Sequence, residues 1–112
     1  MLPKSYRFPL STEFGRIKKE GQMINGSLFG LLIAKGYGTR FGFVISTKID
    51  KRAVARHRVK RLLAEAVRAN LKKIKPGYDF VFLAKKSVVG KSFEEVKKEV
   101  EIHLKKAELL NN

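Results

Sequence analysis

The sequence of 112 residues contains no cysteine, few acidic residues and no long apolar run. Without cysteine the chain cannot form a disulfide bond, or a zinc or iron–sulfur site held by thiolates. Its longest apolar run, LFGLLIA at residues 28–34, is about a third of the roughly 20 residues that a membrane-spanning helix needs. The opening segment, MLPKSYRFPL, also lacks the apolar stretch of a signal peptide. We therefore expect one cytoplasmic domain, formed by residues 1–112.

The shortage of acidic residues leaves the chain strongly basic. There are 25 Lys and Arg residues against 10 Asp and Glu residues, which gives a formal net charge of +15. Such an excess on a small surface raises self-repulsion and predicts a polyanionic partner. Nucleic acid is the first candidate, and an anionic membrane is the second. The lack of a spanning segment makes the membrane the weaker alternative.

The first half of the chain predicts a short helix followed by strands. Ser11 and Thr12 are candidate caps of the helix, and Gly21 is its predicted end. The segments 27–35 and 40–48 are rich in strand formers and flank the turn signal GYGT, so they are predicted to pair as a hairpin. Alternation along the second segment predicts two opposite sides, one with Phe41, Phe43 and Ile45 and the other with Gly42, Val44, Ser46 and Lys48.

A long central helix and a last helix are predicted in the second half. The central helix runs from about Arg52 to Lys73, and its buried stripe is predicted to be Val59, Leu62, Leu63, Ala66 and Val67. A strand follows at residues 78–86, and Ser92 with Glu95 matches a capping box that opens the last helix. The order α-β-β-(β)-α-β-α predicts an α+β fold, a two-layer sandwich with helices on at least one face of the sheet.

The central helix carries an unusual arrangement of cations in its N-terminal half. On a helical wheel Arg52, Arg56 and Lys60 form one column beside the buried stripe, with no acidic residue of the helix next to them. Lys51 and Arg52 also lie at the positive end of the helix dipole, where a cation is disfavoured. Lys48 extends this surface towards the sheet. The remaining basic side chains of the helix face solvent or its far flank: His57, Arg58, Arg61 and Arg68.

The repulsion among these cations favours a polyanionic partner for the helix. Like charges four residues apart each cost a few tenths of a kcal/mol, and here all these costs have the same sign. A bound phosphate backbone reverses each of them, and the planar fork of arginine suits bidentate contacts with phosphate oxygens. The alternative is a solvated face that only keeps the protein soluble. The net charge of +15 favours the first interpretation, a nucleic acid backbone.

The segment RFGFVISTKIDKRAVARHRVKRLLAEAVR, residues 40–68, resembles the signature region of the protein subunit of bacterial ribonuclease P. That family has a Gly-x-x-Val-Ser-(Lys)-Lys segment, then an alanine, then Arg-Asn-Arg-x-x-Lys-Arg on a helix. The opening LPKSYRFPLSTEF, the strand GYDFVFLAKK and the last helix SFEEVKKEVEIHL are also similar to those of the family, so the likeness covers nearly the whole chain. The matching motif positions are Gly42, Ile45, Ser46, Lys48, Ala53, Arg56, Arg58, Lys60 and Arg61.

The chain departs from the family pattern at several positions. His57 replaces the middle Asn of the basic motif, and Ala64 stands where an Arg is often found. Lys18 takes the place of a second aromatic residue one turn after Phe14. None of these changes removes the basic column, but Lys18 argues against a cleft made by two stacked phenylalanines.

The resemblance implies a ribonucleoprotein in which the protein binds a large catalytic RNA. That RNA, with bound Mg²⁺ ions, hydrolyses the 5′ leader from precursor tRNA, so no catalytic residue, metal site or other cofactor is expected in this chain. We expect a monomer with one copy per RNA and no membrane partner. The resemblance also implies a left-handed crossover around the basic helix, whereas the general rule for such connections is right-handed.

The resemblance further implies two contact surfaces on the protein. A cleft between the first helix and the sheet would hold the single-stranded leader, with Phe14 at its edge and with Val44 and Ser46 on its floor. Phe14 is equally compatible with a place in the core. The residues expected to contact the catalytic RNA are Lys48, Lys51, Arg52, Arg56, His57, Arg58, Lys60, Arg61 and Arg68.

Two other functions remain open at this point. A structural ribosomal or architectural protein would share the composition, and only the ordered basic motif favours the ribonuclease P subunit over it. A stand-alone nuclease with His57 as general base would need a partner group and a positioned nucleophile. Asp50 and Asp79 are interpreted as turn or strand-edge acids, because they lack the clustering of a metal site.

Overall fold

In the residues that the computed structural model describes, 2–36 and 38–111, the chain forms three α-helices and one four-stranded sheet. The helices are α1 (Leu10–Glu20), α2 (Ala53–Ala69) and α3 (Phe93–Lys106). The strands are β1 (Gln22–Asn25), β2 (Phe29–Lys35), β3 (Arg40–Val44) and β4 (Tyr78–Ala84), and 3-10 turns lie at Lys4–Tyr6, Leu71–Lys73 and Lys86–Val88. The predicted α+β fold is confirmed. No helix in those residues is long and apolar enough to cross a membrane.

Local hydrogen bonding at the helix starts confirms the prediction for α3 but not for α1. The Ser92 hydroxyl accepts from the Glu95 N–H at 3.2 Å, and the Glu95 carboxylate accepts from the Ser92 N–H at 2.9 Å, so the capping box is present. In contrast, α1 begins after Pro9, and the predicted caps Ser11 and Thr12 lie inside its first turn. The prediction was wrong because proline, which has no N–H to satisfy, begins the helix without a side-chain cap.

The central helix α2 is shorter than the sequence pattern predicts. It ends at Ala69 and is followed by the 3-10 turn Leu71–Lys73. The buried side chain of Asn70 accounts for this end, since its Nδ2 donates a hydrogen bond to the Ala66 carbonyl at 3.1 Å and satisfies an acceptor of the last turn. The predicted stripe is confirmed as the face that packs on the core: Leu62 is half-buried, and Val59, Leu63, Ala66 and Val67 are buried.

The predicted hairpin between β2 and β3 is wrong, because β4 lies between these two strands. The sheet order is β1-β2-β4-β3, with β4 antiparallel to β2 and parallel to β3. The glycine-rich segment after β2 bonds to the start of β4: the Gly36 N–H donates to the Gly77 carbonyl at 2.9 Å, and the Gly77 N–H donates to the Gly38 carbonyl at 3.0 Å. The helix α2 therefore lies in the crossover between the parallel strands β3 and β4, and the handedness of that crossover stays a prediction.

The helices cover the two faces of the sheet unequally. The larger core contains Leu31 and Phe80, which point towards α2 and α3. A smaller core on the opposite face contains Leu32 and Val81, packed with Ile17 of α1. The sheet with α2 and α3 forms the predicted two-layer sandwich, and α1 adds a partial third layer.

A buried carboxylate joins α1, β3 and β4 at one end of the sheet. Asp79 of β4 is fully buried, and its oxygens accept from Arg16 Nη2 at 2.7 Å and from Arg40 Nε at 2.9 Å. Glu13 completes the cluster at 2.9 Å from Arg40 Nη1, and its hydrogen bond with Arg40 is the main reason that the pKa of the Glu13 carboxyl is lowered. Sequence analysis missed this role of Asp79, because Arg40 and Arg16 lie 39 and 63 residues away in the chain.

The substitution Asp79→Asn is expected to lower the free energy of unfolding by about 3 kcal/mol, because it leaves two guanidinium groups against a neutral amide at a buried site. Urea unfolding at neutral pH measures the change as a shift of the midpoint. The matched control is Glu101→Gln, which removes a carboxylate 3.9 Å from Lys97 Nζ in a partly exposed pair. The control is expected to change stability by less than about 0.5 kcal/mol. Equal effects of the two substitutions would contradict the role given to Asp79.

Candidate nucleic-acid interface

Strand β3 separates two surfaces, because its side chains alternate between the faces of the sheet. Phe43 and Ile45 point towards α2 and pack on the larger core, whereas Val44 points towards α1 and packs on the smaller core. Ser46 and Lys48 follow the end of the strand and are exposed. The predicted alternation is confirmed for Phe43, Val44 and Ile45, and the strand leads directly into the loop before α2.

Hydrogen bonds hold the loop before α2 against the first turns of the helix. Asp50 Oδ1 accepts from the Arg52 N–H at 2.9 Å, just before the helix begins. Arg56 extends back from the helix, and its Nη1 donates to the Asp50 carbonyl at 3.0 Å and to the Lys51 carbonyl at 2.8 Å. A guanidinium has five N–H donors, and these two bonds use one nitrogen. Arg56 therefore fixes the loop and still presents donors at the surface.

Arg52 forms an ion pair that sequence analysis missed. Its Nη2 lies 2.9 Å from Asp50 Oδ2, and its Nε donates to Asp50 Oδ1 at 3.1 Å. The hydrogen bonds from the Arg52 side chain and backbone lower the pKa of Asp50 to about 2, and the same pair raises the pKa of Arg52. The Arg52 side chain is nevertheless 75% exposed. Asp50 is thus more than a turn acid, since it stays ionised at neutral pH and neutralises one cation of the column.

Most of the other predicted contact residues form an exposed surface without internal partners. The first turn of α2 contains no acidic residue to offset them. Within the part of the chain that the structure describes, none of the following exposed side chains forms a hydrogen bond or an ion pair: Lys48, Lys51, His57, Arg58, Lys60 and Arg61. We call these six residues, together with Arg52 and Arg56, the basic face. One loop and the first three turns of one helix bring all eight together.

Arg68 lies apart from the basic face. It follows Arg61 by two helical turns, a distance of about 10 Å along the axis. Its Nη1 lies 3.8 Å from Glu65 Oε1, and both side chains are largely exposed. This pair offsets part of the charge that Arg68 contributes.

The opposite face of the sheet carries the residues predicted to hold a single-stranded leader. Phe14, Val44 and Leu83 each pack against the smaller core, and Phe14 is half-buried. Lys18 Nζ lies 5.5 Å from the centre of the Phe14 ring, which is a cation–π distance. Lys18, which stands where the family has a second aromatic residue, therefore places its ammonium group over the Phe14 ring. The structure brings Phe14 and Val44 together, while Ser46 is exposed beyond the end of β3.

The N-terminal segment lies at the edge of β3 between these two surfaces, which sequence analysis missed. The Phe8 N–H donates to the Phe41 carbonyl at 3.0 Å, so this segment runs beside the outer edge of β3. Arg7 Nε donates to the Leu2 carbonyl at 3.2 Å, and Arg7 lines a small cavity together with Lys60 of α2. The pairing joins distant parts of the chain. Apart from the neighbouring cationic and aromatic residues Arg7 and Phe8, no local sequence pattern indicates it.

Comparison with known proteins agrees with the geometry. The family model described as Ribonuclease P matches residues 2–108. The ribonuclease P protein component of Alkaliphilus oremlandii (strain OhILAs) is 41% identical over 96 residues, which cover 85% of this chain and 83% of that protein. The protein component of Clostridium kluyveri is 36% identical over 108 residues, which cover 93% and 96%. The solved ribonuclease P protein from Thermotoga maritima matches with a TM-score of 0.82 and 28% identity, over 89% of this chain and 96% of that one. The chain therefore belongs to the family of bacterial ribonuclease P protein components.

Proposed function

We propose that this chain is the RNA-binding protein subunit of ribonuclease P, and that it assists a catalytic RNA in removing the 5′ leader from precursor tRNA. The observation that carries the proposal is the basic face, a set of exposed and mostly uncompensated cations in a member of this family. The protein acts in the cytoplasm as a single RNA-binding domain, and one monomer binds each RNA.

The chemistry of the basic face supports binding to a phosphate backbone. Arg58 and Arg61 present planar guanidinium groups that can donate two parallel hydrogen bonds to a phosphate. Lys48, Lys51 and Lys60 act as point charges around them. The N-terminal end of α2 adds a positive helix dipole that no acidic residue of the first turn offsets. Such contacts release counterions, so the affinity depends strongly on salt concentration.

The opposite face of the sheet supports a place for the single-stranded leader. The half-buried ring of Phe14 offers an aromatic surface at the same small core as Val44, and an unstacked base can stack on such a surface. Lys18 lies over the same ring and supplies a cation for the phosphate that follows the base. Ser46, at the end of β3, adds a hydroxyl group. Because both surfaces border β3, the leader and the catalytic RNA would contact neighbouring parts of the protein.

The catalytic centre of the proposed complex lies in the RNA and its Mg²⁺ ions. The residues of this chain do not fit a magnesium site of their own, because Mg²⁺ prefers carboxylate oxygens with room for water ligands. Among the described residues no group of three or more His, Cys, Asp or Glu side chains could hold a metal ion. Asp50, the acid next to the basic face, has both oxygens bonded to Arg52. The chain therefore contributes binding and positioning.

Two rival functions make different predictions about activity. An architectural RNA-binding protein would use the same basic face without promoting any cleavage. A stand-alone nuclease would need a group that orients His57, and within the described residues the His57 side chain forms no hydrogen bond.

Added to a ribonuclease P RNA at low Mg²⁺ concentration, the protein is expected to restore cleavage of precursor tRNA. The physical reason is that cations of the protein replace part of the charge neutralisation that Mg²⁺ supplies. The measurement is the initial rate of leader release with RNA alone, protein alone and both together. Absence of stimulation would favour the architectural role. Cleavage by the protein alone, lost in His57→Ala, would establish the nuclease.

The double substitution Lys60→Gln with Arg61→Gln is expected to weaken binding to the catalytic RNA by on the order of tenfold or more. It should also flatten the dependence of log affinity on log salt, by roughly one unit for each lost phosphate contact. The matched control is Lys98→Gln with Lys105→Gln, which removes the same charge from exposed positions of α3. Equal losses in the two double variants would show that net charge, and not the basic face, determines binding.

The substitution Asp50→Asn is expected to tighten RNA binding a few-fold at low salt and to steepen the salt dependence by up to about one unit. The amide keeps an oxygen that can accept from the Arg52 N–H, while the guanidinium of Arg52 loses its ionic partner. Binding titrations at several salt concentrations measure both effects, with Glu101→Gln as the control carboxylate. Weaker binding by Asp50→Asn would mean instead that Asp50 orients Arg52 for RNA.

A further inference from the structure

A small cavity lies where the N-terminal segment, the outer edge of β3 and α2 meet. Its volume is about 150 Å³, and its lining includes three phenylalanines, Phe8, Phe41 and Phe43, and the small side chain of Ala64. An apolar cavity of roughly this volume is large enough to admit a benzene ring. The lining also contains two cationic residues, Arg7 and Lys60, and the residues Leu2, Leu10 and Gly42.

The cavity exists because β3 is an edge strand that is only partly covered. On one side β3 pairs with β4, and on the other the Arg7–Phe41 bridge is its only pairing among the described residues. The Phe41 carbonyl accepts from the Phe8 N–H on this outer edge at 3.0 Å. Backbone groups alternate along a strand, so the N–H and carbonyl of Phe43 point to the same outer edge. The cavity therefore has aromatic walls and a strand edge with hydrogen-bonding groups.

The cavity is continuous with the basic face. A neighbouring depression of about 210 Å³ is lined by Phe43, Ile45, Arg56, His57 and Lys60, and it shares Phe43 and Lys60 with the cavity. Among the residues that the structure describes, no acidic side chain lines either space. Together they form a path of aromatic and cationic residues from the outer edge of β3 to the basic face.

We propose that this cavity holds one unstacked nucleobase of the catalytic RNA, an inference that rests on the proposed function. The aromatic walls fit the flat face of a base, the outer edge of Phe43 fits the hydrogen-bonding edge of a base, and Lys60 and Arg7 fit the adjoining phosphates. We assign the occupant to the catalytic RNA and not to the leader, because the cavity shares Phe43 and Lys60 with the depression beside the basic face.

The free protein tests the proposal without any catalytic RNA. In ¹H–¹⁵N NMR titrations with 5′-AMP, the amides of Gly42, Phe43 and Ala64 are expected to shift, whereas ribose 5-phosphate, which lacks a base, leaves them in place. Equal shifts with both compounds would show a phosphate site only, and no shift with 5′-AMP at tens of millimolar would also overturn the proposal. Neither outcome depends on whether the protein stimulates cleavage.

The full complex supplies a second test. Ala64→Leu fills the cavity from α2 and is expected to weaken binding to the catalytic RNA by about tenfold, with an unchanged salt dependence, because the phosphate contacts remain. Ala69→Leu, an exposed position on the same helix, is the matched control and should bind as the unmodified protein does. In Ala64→Leu the shifts caused by 5′-AMP should disappear. Unchanged RNA affinity in a folded Ala64→Leu variant would contradict the proposal.

Discussion

The packing of α2 against the sheet is the interaction on which the basic face depends. Val59, Leu63 and Val67 are buried in the larger core with apolar side chains of β2, β4 and α3, and this fixes the rotation of the helix about its axis. Once that rotation is fixed, the cations of the same helix can emerge only at the margin beside β3 and on the solvent side. The loop before α2 is held to the helix by Arg56, so Lys48 and its neighbours join the same surface. The position of the backbone that carries the basic face is therefore fixed by the core beneath it.

Two groups of cationic residues in this chain differ in how far acidic residues neutralise them. At one end of the sheet Arg16 and Arg40 are neutralised by Asp79 and Glu13, and this cluster stabilises the contact of three elements. On the basic face Asp50 compensates a single arginine, and the other cations repel one another in the free protein. Bound phosphates relieve that repulsion. Its removal therefore makes the free energy of RNA binding more favourable. The same residue type thus serves the fold or the function according to whether an acid lies within reach.

Local spacing predicted the features that depend on neighbouring residues, and it failed where distant segments meet. The buried stripe of α2, the capping box of Ser92 with Glu95 and the alternation along β3 all follow from periodicity within one element. The strand pairing does not follow from local periodicity, because β4 comes after α2 in the chain and inserts between β2 and β3. The strands β2 and β4 are central in the sheet, since both of their faces are buried. The Asp79 cluster could not be predicted from local sequence, because its residues come together only in the tertiary fold. In contrast, Asp50 lies two residues before Arg52, and inspection of the loop before the helix would have found that pair.

Lysine acetylation of the assembled ribonucleoprotein, followed by mass spectrometry, tests the central claim most directly. If α2 binds the catalytic RNA through its basic face, Lys48, Lys51 and Lys60 become protected on assembly, while the exposed Lys98 and Lys105 of α3 react as they do in the free protein. Protection confined to α3, or unchanged reactivity of the three lysines of the basic face, would contradict the account.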